Sequence, residues 1–172
     1  LYGNYYLDHI RYGASGGHVL HHLLRRNRKL ASPKDQQLYA VLTAVLDEGM
    51  ADLIDKPMPD SVDCPAHLKY GEQMLKSPDS AIVILDSAIQ MHIAGKQPFD
   101  SANGCNIVQL GGHVPGYQMA LVIERNGLAD EMIKYADNPL RFLLLYNRAA
   151  LKKKKKPTVF SDKTVLFIKN LQ

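Results

Sequence analysis

An all-α fold is the expectation for this chain, and three observations predict it. Apolar residues recur at a period near 3.6, proline and glycine sit where helices would start and stop, and no stretch alternates convincingly enough for a strand. The clearest period covers residues 36–55, where Leu38, Val41, Leu42, Val45, Leu46, Met50 and Leu53 share one stripe. Ser32-Pro33 before it supplies an N-cap and a proline for the first helical position, and Pro57 and Pro59 end it. An earlier helix is expected over about 15–29, with Ser15 as cap and a soft start at Gly16-Gly17.

The remaining elements follow in order. Three prolines make 57–65 a loop, and helices are predicted over 66–76 and, after Ser77-Pro78, over 79–94. Residues 95–112 are rich in Gly, Asn, Asp and Ser and read as a long connection bordering a cleft. A helix over 115–126 should close on Gly127 as its C′ residue. Two more are expected over 128–136 and 139–151, and a last one, capped by Ser161, should reach Leu171.

With 172 residues, 46% apolar and 22% charged, the chain is sized for one globular domain with a core. It begins at Leu1 without a methionine, as expected for the C-terminal part of a longer protein. The pI near 9.0 is a local effect. Of 21 basic residues, five are the consecutive lysines 152–156, and without them 16 basic residues face 17 acidic ones. Such a run is a solvated loop, or a contact for anionic surfaces. No aromatic residue interrupts it, which argues against single-stranded nucleic acid as a partner. Cys64 and Cys105 make no disulfide framework, so free thiols are expected. No run of eighteen apolar residues exists, so neither a transmembrane helix nor a signal peptide is expected in this chain.

Chemistry concentrates in Gly17-His18-Val19-Leu20-His21-His22. On a helix, His18 and His22 point the same way, opposite the apolar arc of Val19, Leu20, Leu23 and Leu24. This is the histidine spacing of H-E-x-x-H, in which two histidines bind zinc and the glutamate is the general base, with Val19 at the glutamate's position. A solvated face that carries histidines is the other reading of the pair alone. Glu48, on the flank of the next helix's packed stripe, favours metal, since a carboxylate there is costly to desolvate unless paired. Gly49 beside it permits a neighbouring helix to come close. Two imidazoles and one carboxylate leave a fourth position open on tetrahedral Zn2+. Asp52, one turn beyond Glu48, is placed either to orient a ligand histidine or to stand exposed on its helix.

A second unusual stretch is Gly111-Gly112-His113-Val114-Pro115-Gly116-Tyr117. The glycines allow tight backbone approach. His113 and Tyr117, four apart, offer donors to an oxyanion in a hydrolase, or else a helix cap and a packed tyrosine. Cys64-Pro65-Ala66-His67 has metal-like spacing but no second pair, and His9 and His92 have no partner at metal spacing and receive no role.

The order His18-x-x-His21-His22, Glu48-Gly49-Met50-Ala51, Gly112-His113-x-x-Gly116-Tyr117-x-Met119-Ala120, Asn138-Pro139-Leu140 and Leu145-Tyr146-Asn147 resembles an uncharacterised family of zinc-dependent peptidases of the gluzincin type. The similarity runs from about His18 to Leu171. The resemblance implies a helical zincin-like domain with zinc on His18, His22 and Glu48. It also implies His113 or Tyr117 facing a peptide or protein substrate. The family's catalytic glutamate falls on Val19, and only 17 residues precede His18, where the zincin sheet would lie. The expected function is therefore that of a metallopeptidase-like hydrolase with weak or lost activity, or a non-catalytic metal- or partner-binding domain of the same ancestry.

Overall fold

The computed structural model describes residues 20, 30, 32–55, 76, 78–100, 104, 107–152 and 157–172. All of the helix expected over 15–29 except residue 20, the loop 57–65 and all of the helix expected over 66–76 except residue 76 lie outside the described residues. So do His18, Val19, His21, His22, Cys64, His67 and Cys105.

Six α-helices are described: α1 Gln36–Asp55, α2 Pro78–Ile93, α3 His113–Arg125, α4 Ala129–Lys134, α5 Pro139–Leu151 and α6 Asp162–Asn170. No strand occurs among the described residues, and the fold is all-α as the periodicity predicts. Ser32-Pro33 does not open the α-helix directly. Pro33–Asp35 forms a 3-10 turn first, and Ser32 makes no side-chain cap bond. The α3 start also moves, from Pro115 to His113. Pro115 still falls within the first turn, where no intrahelical partner for its missing N–H is needed. At the other end Gly127 closes α3, with Gly127 N–H on Glu124 O and Leu128 N–H on Ile123 O.

Helix α1 buries Leu38, Val41, Leu42, Val45 and Leu46, the stripe read from the sequence, while Met50 and Leu53 pack at its edge. Its main partner is α3, and two glycines set how closely they meet. A Cβ on Gly49 would lie 2.3 Å from Gly116 O, and one on Gly116 would lie 2.2 Å from Val45 O. Backbone therefore rests on backbone at this crossing, a distance that no side chain permits.

Helix α5 adds Leu140, Phe142, Leu143, Leu145 and Tyr146 to the core. Asn138 caps it by accepting from Arg141 N–H at 3.0 Å, with Pro139 in the first turn. Its Asn147 then holds the strap 157–161 with both ends of its amide. Nδ2 donates to Phe160 O at 3.0 Å, and Oδ1 accepts from Phe160 N–H at 2.8 Å. The Tyr146 hydroxyl donates to Thr158 O, and burial, followed by the Asp79 charge, pushes that hydroxyl's pKa up. From α2, Asp79 accepts from Thr158 N–H and Asp86 accepts from Ser161 N–H. Ser161 then caps α6 by accepting from Thr164 N–H, as expected.

His92 has a partner that its sequence neighbourhood does not show. Its Nε2 donates to Asp35 Oδ1 at 2.8 Å, across 57 residues, and its Nδ1 accepts from Phe99 N–H at 3.3 Å. The ring lies edge-on to Phe99 and Phe167, so one side chain joins the start of α1, the end of α2 and α6. Burial raises the Asp35 pKa, but hydrogen bonds from His92 and Ser32 and the nearby Lys34 outweigh it and hold the group below the usual carboxylate value. A carboxyl depressed on folding stabilises the fold above its unfolded value, near 3.9. That contribution disappears as pH falls through the folded value. Asp35→Asn is thus expected to lower the melting temperature at neutral pH and to flatten its decline below about pH 4. Parallel melting curves for variant and wild type across that range would show that the pair is not linked to folding.

Candidate metal centre

The glycine crossing fixes the site because the chemistry-bearing residues flank it in sequence. Glu48 immediately precedes Gly49, and His113 stands three residues before Gly116 as the first residue of α3. Asp52 lies one turn beyond Glu48 on the same face of α1. Where α1 and α3 touch, these side chains converge. His113 Nδ1 is 2.9 Å from Asp52 Oδ2, and His113 Nε2 is 3.3 Å from Glu48 Oε2. Asp52 is fully buried, while the Glu48 and His113 side chains are 21% and 29% exposed. One donor atom from each of the three lies within 4.8 Å of the others.

This donor set suits zinc. One imidazole and two carboxylates are ligand types that zinc takes. Asp52 on the Nδ1 side of His113 is the carboxylate–histidine arrangement that orients the ring, and Nε2 faces Glu48. The family model described as "Putative zinc dependent peptidase (DUF5700)" matches residues 1–155. The chain belongs to this family. The match spans the His18–His22 segment, Glu48, Asp52 and His113, and ends before the strap and α6. No curated protein and no solved structure matches the chain.

Set against that family, the structure places the expected site residues as follows. Glu48 lies on the flank of α1, half-buried. Asp52 meets a histidine, and that histidine is His113, 61 residues away. His18 and His22 lie outside the described residues. Tyr117 is fully buried, in a small cluster with Ala81 and Val114 against Leu53. The approach of His113 to Glu48 was missed by sequence reasoning, which treated the two as parts of separate motifs. Its signal was the glycine beside each: Gly49 next to Glu48 and Gly116 one turn from His113. Among the described residues, no helix is long and apolar enough to cross a membrane.

Proposed function

We propose that this domain binds zinc as a member of a peptidase family and that its own peptide hydrolysis is weak or lost. The observation that carries the reading is the Glu48–His113–Asp52 cluster at the α1–α3 crossing, built from zinc-type donors in a chain of this family. Glu48, with His18 and His22, would hold the ion. When bound, zinc supplies a water of pKa about 7 and polarises a carbonyl. The protein must add a base for that water's proton, and here the chain falls short. Val19 has no group that takes a proton, and Glu48 is committed as a ligand. A positioned general base contributes about 10²- to 10⁴-fold, so the wild-type rate should fall short by that factor. Gluzincin ancestry is the form of the family that the Glu48-x-x-x-Asp52 pattern and the histidine pair best fit.

The test is elemental analysis of protein purified without chelator, with peptide cleavage followed in wild type and Val19→Glu. One zinc per chain and no or very slow wild-type cleavage are expected. Absence of stoichiometric zinc would sink the reading. Val19→Glu separates the two forms of it: a gain of about 10²- to 10⁴-fold means that only the base is missing. A zinc-loaded Val19→Glu protein that stays silent leaves metal binding itself as the function.

A further inference from the structure

We propose that the groove between α5 and α6 binds a medium-chain carboxylic acid, with the carboxylate on Arg141 and the alkyl chain along an apolar floor. The groove has a volume of about 470 Å³, within the range of about 300–1,000 Å³ typical of ligand sites. None of its lining residues belongs to α1 or α3, so it is separate from the Glu48–His113 crossing. Arg141, Leu144, Arg148 and Leu151 follow one another at helical spacing on the α5 wall, and Asp162, Val165 and Lys169 do so on the α6 wall. Each wall thus carries an apolar side chain between charged ones.

The charges decide which end group fits. Arg148 is paired with Glu131, whose carboxylate also accepts from the Tyr135 hydroxyl at 3.2 Å. That acid is already answered. Asp162 stands in the first turn of α6, where the N–H groups of the helix end favour its charge. Arg141 is different. Its guanidinium lies 5.3 Å from the centre of the Tyr135 ring, which holds the group in place without using up its N–H donors. Among the described residues, neither Arg141 nor Lys169 on the opposite wall meets a carboxylate. Two unmatched positive charges call for an anion, and a guanidinium takes a carboxylate through two parallel bonds.

The floor decides the rest of the ligand. Leu144 and Val165 are half-buried, and Leu151 is 54% exposed, a large apolar side chain that a hydrocarbon would cover. Arg141 and Leu151 stand about 15 Å apart along the α5 axis at the helical rise. An acid with its head on Arg141 therefore lays its chain past Leu144 towards Leu151. A peptide fits less well. Both amide ends of Asn147 are held by Phe160, and Glu131 is held by Arg148 and Tyr135. Few side chains here could answer the N–H and C=O groups of a peptide main chain, which are costly to bury unpaired. An alkyl chain has no such groups.

Calorimetric titration of the full chain with decanoate, below its micellar concentration, tests the proposal. One decanoate per chain is expected. Acetate, which lacks the chain, should bind at least about 100-fold more weakly, and decylammonium, which reverses the charge, at least about 10-fold more weakly. These comparisons use the wild-type chain alone, so they decide even where a variant fails to fold. Arg141→Gln should weaken decanoate about 10- to 100-fold, the range of a hydrogen bond to a charged group. Leu151→Gln should weaken it about 3- to 10-fold, as half of a leucine's burial is lost. Both positions are exposed, so circular dichroism should be unchanged. Absence of saturable decanoate binding, equal affinity for decylammonium, or a folded Arg141→Gln that keeps wild-type affinity overturns the proposal. Tighter binding of acetyl-trileucine than of decanoate overturns the choice of an alkyl chain and makes the groove a peptide site.

Discussion

Gly116→Ala is expected to destabilise the protein by at least about 3 kcal/mol, the upper end of ordinary overpacking. The added methyl would lie 2.2 Å from Val45 O and within 3.0 Å of the Gly49 backbone. Those neighbours are main-chain atoms of a long helix, so no rotamer change relieves the overlap and α1 must move away from α3. Such a shift also separates Glu48 and Asp52 from His113, so stability and zinc affinity should fall together. For a chain of this size the loss corresponds to a melting temperature lower by roughly 6–12 °C. Gly49→Ala should behave alike, since its methyl would meet Gly116 O at 2.3 Å. A melting temperature within about 2 °C of wild type in both variants would mean that the helices do not meet through their backbones.

Glu48→Gln should have the opposite profile, with the fold kept and the metal lost. The side chain is 21% exposed and lies at the edge of the core, so neutralising it leaves the apolar stripe of α1 intact. Zinc that binds only the folded protein stabilises it by about 2.7 kcal/mol at a hundred times Kd. For wild type this is a rise in melting temperature of roughly 5–10 °C on adding zinc. In Glu48→Gln the rise should vanish, while the melting temperature in chelator stays at the wild-type value. An equal zinc-dependent rise in both proteins would remove Glu48 from the ligand set.

Most helix boundaries were legible because local chemistry writes them. Pro139 after Asn138, Gly127 after Asn126 and Ser161 before Asp162 each restrict the backbone or satisfy an end group within a few residues. The fine start of α1 was not legible, since Ser32 and Pro33 suit a 3-10 turn as well as an α-helix. The site divides in the same way. That Glu48 lies on a packed flank follows from period 3.6 alone, and the need for small residues at Gly49 and Gly116 could be read off each helix. That those two glycines face each other, and so bring His113 to Glu48, depends on how α1 and α3 cross. His92 shows the limit most plainly. Its partner Asp35 lies 57 residues away and its second contact is a backbone N–H, and neither leaves a motif in the sequence.

The strap after α5 bears on where this protein can be cut. The family match stops at residue 155, yet Asn147 presents both a donor and an acceptor to Phe160, as a neighbouring strand would. An all-helical protein thereby contains one rung of a β-ladder, with a side chain as one of its rails. Ending the chain at the family boundary would strip that rung and leave two buried polar atoms of Asn147 without their mates. It would also uncover Tyr146 in the core. A chain ended at residue 155 should therefore melt lower than the full chain, since it also loses α6 from its seat against α2 and α5.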